Sequence, residues 1–297
     1  MARVIAVIPV FNRREITLAC VRRLGAEAMG ADELEIMVVD DGSKDGTAEA
    51  LKALGQKGLS VLHGDGSLWW SGGMNLGVQA ALERGCDFVL CLNDDTAFES
   101  GLVPALLEAA RSRPMALVAP QAVHDDDGGL VQSGLDFIKG RGWTSAHEHR
   151  ALGTQAYEVE GLAGACVLIP AEAFRRVGLY AASELPQYHA DIEFSDRARR
   201  AGFSCLVLPA LKLRITRNER YFDLLRGRFD YGVLKAMFRW PGGSFAPKAV
   251  FAFYRRTHPG GPWRGRLHAA KVYAKAAIKL ALNLSGLARF FKVREPR

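Results

Sequence analysis

Apolar and polar positions fall into blocks whose lengths separate strands from helices. Val4 to Pro9 (VIAVIP), Glu35 to Val39 and Phe88 to Leu92 (FVLCL) are short apolar runs, the pattern of strands covered on both faces. Between them, Arg14 to Met29 places Ile16, Ala19, Cys20 and Leu24 at helical spacing, and a turn-rich run from Asp40 leads into a predicted helix over Thr47 to Leu54. Ser60 to Leu62 reads as a short strand, Gly64 to Gly73 as a loop, and Met74 to Arg84 as the next helix. Further on, the pattern predicts a helix over Leu102 to Arg111, strands over Ala116 to Ala119 and Gly161 to Pro170, and a helix over Ala171 to Val177. A last helix of this body ends at Ala201, before Gly202. Strands alternating with helices predict a doubly wound α/β layer.

The chemistry concentrates where the strand Phe88 to Leu92 ends, in Asn93-Asp94-Asp95-Thr96. Adjacent carboxylates at the mouth of a buried strand repel each other and need a cation or hydrogen bonds to offset them. Ligands of open α/β sheets collect at the carboxyl ends of strands. A hard divalent ion, Mg²⁺ or Mn²⁺, shared between carboxylate and substrate phosphates fits such a place. The plainer alternative is that Asp94 and Asp95 cap a helix starting near Ser100. A second acidic cluster, His189 to Arg197, offers Asp191 either as a helix N-cap or as a general base, with Glu193–Arg197 and Asp196–Arg200 as surface pairs four apart. Asp125 to Asp127 lack the alternating spacing of a calcium loop and read as a solvated turn. No GxGxxG follows the first strand and no GxxxxGK[ST] occurs, so a glycine-rich phosphate cradle is not expected.

Composition narrows the picture. With 297 residues, 49% apolar, the chain can bury one large α/β core or two smaller ones. Cys20, Cys86, Cys91, Cys166 and Cys205 are scattered without a CxxC pair, which suggests reduced thiols in a cytoplasmic protein. The chain opens directly on a strand with no signal-like start, and no run reaches the apolar length of a membrane span. The net charge of +7 is unevenly spread: from Ala210 onward there are 20 Lys+Arg against 4 Asp+Glu, and before it 19 against 28. This contrast divides the chain into an acidic body, 1–209, and a basic helical extension, 210–297.

Taken in order, IPVFNR, VVDDGSKDGT, GGMNLG, LNDDT and HADIEFSDRARRAG resemble a family-2 glycosyltransferase of the GT-A fold, over about Arg3 to Leu208. WWSGGMNLG is similar to the bacterial branch that adds rhamnose or galactofuranose to surface polysaccharides. The resemblance implies a Rossmann-like, doubly wound mixed sheet and an inverting transfer from a UDP-, dTDP- or GDP-linked sugar to a glycan or lipid-linked hydroxyl. It places Pro9, Phe11 and Asn12 around the base, with Asp40 or Asp41 bonded to it. Asn75 and Trp70 would face the donor, Asn93 and Asp94 would lie beside it, Asp95 would hold Mg²⁺ or Mn²⁺, and Asp191 would be the catalytic base. Trp69 and Trp70 suit either a sugar or base face, or the core.

Three positions depart from the family pattern: Asn93 opens the acidic triplet, Met74 stands where many relatives have arginine, and Lys212 to Arg217 contain no histidine. Arg214 or Arg217 would then neutralise the diphosphate. A sugar nucleotidyltransferase is a rival, but its glycine-rich opening is missing. A non-catalytic nucleotide-sugar-binding or scaffold protein is another, opposed by the retention of Asp95 and Asp191.

In the extension, aromatics and arginines alternate from Tyr221 to Trp240, and Lys271, Lys275 and Lys279 share one helical stripe. The pattern fits a membrane-surface helix attracted to anionic lipid, or a packed helix with a solvated lysine face. With no recognition module in the body, nucleic acid is not an expected partner. The expected location is cytoplasmic, peripheral at the inner face of the plasma membrane.

Overall fold

Buried strands set the frame of the body, and their carboxyl ends bring the acidic motifs together. The computed structural model describes residues 1–216 and 246–284. The chain divides into two units, Met1–Arg217 and Asn218–Arg297. The first opens with β1 (Arg3–Val10), α1 (Arg14–Gly25), β2 (Glu33–Asp40), α2 (Thr47–Leu54), β3 (Leu59–His63), α3 (Trp69–Glu83) and β4 (Phe88–Leu92). It continues with β5 (Thr96–Phe98), α4 (Leu102–Ser112), β6 (Ala116–His124), β7 (Leu130–Gln132), β8 (Leu135–Ile138), β9 (Gly142–Ser145) and β10 (Tyr157–Val159). It closes with β11 (Cys166–Pro170), α5 (Ala171–Val177), α6 (Ala190–Arg200) and β12 (Ser204–Ile215).

The main sheet runs β10-β12-β6-β11-β4-β1-β2-β3, with β5 added to β12 and β7 to β6. β1 pairs in parallel with both β2 and β4, whereas β11 is antiparallel to β4 and β6, so the sheet is mixed. The chain winds outward from β1 through β2 to β3 and returns to β4 on the other side of β1. A crevice therefore opens between the carboxyl ends of β1 and β4, where a doubly wound sheet binds its ligand. Gly73 keeps α3 close to that end: a Cβ there would sit 2.9 Å from the Pro9 Cβ. The GGMNLG motif thus serves close helix-to-sheet packing.

Several elements differ from the sequence expectation. α1 stops at Gly25 rather than Met29, and α3 begins at Trp69, so both tryptophans lie in its first turn. The strand expected over Ala116 to Ala119 runs on to His124, while Gly161 to Ala165 is a loop leading into β11. The β8–β9 hairpin had no periodic signature, being four-residue strands around turns. The change of charge balance at Ala210 falls inside β12, because that strand's pairing with β6 and β5 carries it to Ile215.

In the second unit, α7 (Pro247–Thr257) and α8 (Pro262–Leu284) pack together, with the Phe251 and Tyr273 rings stacked at 6.0 Å. Tyr221 to Trp240 and Arg217 lie outside the described residues, as does the side chain of Lys279. No described helix is long and apolar enough to cross a membrane.

Candidate active site

The turn after β1 is the first wall. Asn12 takes a left-handed conformation (φ 52°), and two hydrogen bonds weld it to the loop after β2: its N–H donates to Ser43 Oγ at 2.8 Å, and its Oδ1 accepts from Lys44 N–H at 2.7 Å. Phe11 stands half in solvent beside it, while Pro9 backs onto α3. Asp40 is buried, and its Oδ1 accepts the Ser43 N–H at 3.0 Å. Asp41 is committed more heavily: its two oxygens accept the backbone N–H groups of Gly66, Leu68 and Trp69 at 2.8, 2.9 and 3.1 Å. It fixes the loop that launches α3, a role the sequence reading did not assign. A carboxylate at a helix start also suits the helix dipole.

Arg13, between β1 and α1, holds the acidic motif. Its guanidinium forks onto Asp94 Oδ1 and Asp95 Oδ2, both at 2.8 Å. Thr17 donates to the other Asp94 oxygen at 2.9 Å, so both oxygens of Asp94, whose side chain is 1% exposed, are engaged. Burial pushes the Asp94 carboxyl above its ordinary range, partly offset by Arg13 and Thr17. Burial also works against the Arg13 charge, but the two carboxylates outweigh it and leave the guanidinium more basic than usual. The compensating cation that adjacent carboxylates require is therefore part of the chain. Capping of a following helix is not their role, because β5 intervenes and Glu27 accepts the Gly101 and Val103 N–H groups at the start of α4.

The second wall joins Trp70, Asn93 and Asp191. The Trp70 indole N–H donates to Asn93 Oδ1 at 2.8 Å, and the ring meets Tyr180 edge-on at 5.3 Å. Asp191 Oδ2 accepts the Gly164 N–H at 2.7 Å and Oδ1 accepts the Ile192 N–H at 2.9 Å. Gly164 lies between the two side chains: a Cβ there would fall 2.7 Å from Trp70 Cζ2 and 3.1 Å from Asp191 Cβ. Each Asp191 oxygen keeps a further lone pair, and the residue is part-exposed. Asp191 is not the N-cap of α6. That place belongs to His189, in a left-handed conformation (φ 73°). Asn12, Trp69 and His189 are the non-glycine residues with positive φ among those described, and all three flank these walls. Backbone strain of this kind concentrates at functional sites.

Asn75 is directed elsewhere than expected. Its amide exchanges two 2.9 Å hydrogen bonds with the Tyr180 backbone and supports the ring behind Trp70. Glu193 and Asp196 pair with Arg197 and Arg200 as their spacing implied, but both acids are buried rather than on the surface. Arg197 also donates to the carbonyls of Val177 and Leu179, which fixes the turn presenting Tyr180.

A hard ion fits this donor set only through a single protein carboxylate. Asp95 is 39% exposed, with Oδ1 making no hydrogen bond among the described residues, and phosphates and water would supply the remaining ligands. Among the described residues, no group of three or more His, Cys, Asp or Glu side chains is arranged to hold a metal unaided. Arg214 lines a cleft of about 210 Å³ that Asp95 also lines, and pairs with Glu99 at 3.8 Å.

Comparison with known proteins identifies the fold and the family. The chain is 25% identical, over 61% of its length, to an N-acetylglucosaminyl-diphospho-decaprenol L-rhamnosyltransferase of Mycobacterium tuberculosis, and spans 66% of that relative. It superposes on GalNAc-T7, solved with UDP, GalNAc and Mn²⁺, with a TM-score of 0.61 at 15% identity, covering 86% of this chain and 48% of that one. It also superposes on the mannosyltransferase PcManGT of Pyrobaculum calidifontis, solved with GDP-Man and Mn²⁺, with a TM-score of 0.55 at 14% identity, covering 98% and 81%. These likenesses establish the GT-A fold. The pattern of glycosyl transferase family 2 matches residues 5–178, and the chain belongs to that family.

Proposed function

We propose that the protein transfers a sugar, with inversion, from a nucleoside-diphosphate sugar to a hydroxyl of a glycan or lipid-linked acceptor during assembly of cell-surface polysaccharide. The observation that carries this reading is the convergence of Asp191 and the Asn93–Asp95 motif on either side of Trp70, at the carboxyl end of β4. Phe11 and Asn12 would receive the base, with Asp40 and Asp41 shaping the pocket from behind. Trp70 would present its face to the sugar. Asp191 would accept the acceptor hydroxyl's proton as the new bond forms, since such a hydroxyl is too weak an acid to ionise unaided at neutral pH. Its two backbone donors fix the carboxylate's direction and leave lone pairs for that proton. A divalent ion at Asp95, when bound, would supply Lewis-acid stabilisation of the departing diphosphate. Arg214 would add positive charge on the same side.

The rhamnosyltransferase relative, whose name specifies a diphospho-decaprenol acceptor, supports the lipid-linked alternative. So does α8, which contains no acidic residue and exposes Trp263 (69%), Leu267 and Ile278 on one stripe flanked by Arg266, Lys271 and Lys275. Such a face suits peripheral contact with anionic lipid, and a location at the inner face of the plasma membrane.

The test is binding of UDP, dTDP and GDP with Mn²⁺, Mg²⁺ or EDTA to wild type and Asp95→Ala. One base should bind with metal and weaken in the variant. Metal-independent binding would move the phosphate role to arginine, and binding without sugar transfer would favour a scaffold.

A further inference from the structure

We infer that Arg13 is a built-in counter-ion that makes metal binding at Asp95 depend on the donor. The inference rests on the proposed metal role of Asp95 and concerns the order in which ion and nucleotide arrive. Adjacent carboxylates with free oxygens are hard ligands open to a divalent ion. Here the Arg13 fork takes one oxygen from each of them, and Thr17 takes the second oxygen of Asp94. Asp94 is also buried, so Asp95 Oδ1 is the accessible oxygen of the pair without a hydrogen bond among the described residues, beside a fixed positive charge.

The fork is held in place from its own backbone. Asn12 is bonded to the loop after β2, and the Arg13 carbonyl accepts the Thr17 N–H at 2.9 Å. Asp94, desolvated and bonded at both oxygens, keeps the guanidinium from swinging away. A free divalent ion therefore meets one oxygen and a repelling cation. An ion that arrives with a diphosphate brings its own negative ligands, and the same guanidinium attracts that diphosphate. Metal entry and donor entry become one event, which protects the empty crevice from adventitious metal.

The experiment measures Mn²⁺ uptake by the full chain, read from the electron paramagnetic resonance signal of free Mn²⁺, without nucleotide. Arg13→Gln should bind Mn²⁺ roughly tenfold more tightly than wild type, the scale of repulsion between a divalent ion and a unit charge about 6 Å away in water. Adding Asp95→Asn should abolish that gain, and Arg13→Lys, which keeps the charge, should show little of it. If Arg13→Gln does not fold because Asp94 is left unpaired, the comparison of Asp94→Asn with Arg13→Gln/Asp94→Asn carries the same prediction. Equal Mn²⁺ affinity with and without the Arg13 charge would overturn the inference. The proposed donor site is tested separately: if UDP, dTDP and GDP all fail to raise Mn²⁺ uptake by wild type, that reading fails, while the Arg13 comparison still gives its own answer.

Discussion

Gly164 gives the sharpest test of how the site is held. Its N–H donates to Asp191, and the space where a Cβ would stand is occupied by Trp70 on one side and Asp191 on the other. In Gly164→Ala, the new methyl would start 2.7 and 2.8 Å from Trp70 Cζ2 and Cη2. Carbon atoms pack at about 3.5–4.0 Å, so something must move by roughly 1 Å. Trp70 is poorly placed to yield. Its indole N–H is bonded to Asn93, its backbone N–H to Gln187 Oε1 at 3.1 Å, and its ring rests against Tyr180. The Gly164 backbone therefore shifts and carries with it the donor that aims Asp191. Overpacking of this size costs about 1–3 kcal/mol, leaving a folded protein. Misplacing a reacting group by about 1 Å costs on the order of 100-fold in rate. Gly164 is not among the positive-φ residues, so alanine suits its backbone and the effect isolates the contact. Transfer rate, with the donor that the nucleotide panel selects, and urea midpoint would be measured for wild type, Gly164→Ala and Gly153→Ala. Gly153 is the control, since its nearest neighbour is the Gln155 nitrogen at 3.9 Å. A rate within threefold of wild type in Gly164→Ala would refute the claim that this packing aims Asp191.

Asp41→Asn should lower stability by about 1–3 kcal/mol, because the amide turns an N–H₂ toward at least one of the three backbone N–H groups from which the carboxylate accepts; an unchanged urea midpoint would show that this loop is held by other contacts. Replacing Trp263, Leu267 and Ile278 together by serine should release the chain from anionic vesicles in a flotation assay, at about 1.5–3 kcal/mol for each large apolar side chain no longer buried. Recovery with vesicles equal to that of wild type would remove the lipid-facing role of α8.

The body's layers were legible because buried strands leave an unbroken apolar run, as in β1 and β4, and amphipathic helices leave a period, as in α1. The tryptophan pair was misplaced because its first-turn position depends on Asp41, a residue 28 positions before Trp69, accepting the N–H groups that a local cap would otherwise satisfy. The hairpin β8–β9 was illegible for a different reason. Strands of four residues give too few alternations for any period, and the hairpin is anchored from outside, through Leu135 to Gly161.

The candidate site divides along the same physical line. Asp95 and Asp191 could be singled out because charge at the end of a buried strand or start of a helix demands an explanation wherever it falls in the sequence. Arg13 could not, since one arginine in a turn is unremarkable until the sheet sets β1 beside β4 and brings residues 81 and 82 positions apart within hydrogen-bond reach. Yet the demand was visible from the acidic side: two neighbouring carboxylates, one of them buried, require a cation. In a parallel sheet the nearest place to supply it is the carboxyl end of the adjoining strand. Asn75 shows the converse. Its motif position suggested a donor contact, but an amide offers a donor and an acceptor in fixed geometry, and the Tyr180 backbone matches both. What a polar side chain does here follows from which complementary group the fold brings within about 3 Å of it, and for Arg13 and Asn75 that group lies more than eighty residues away in the chain.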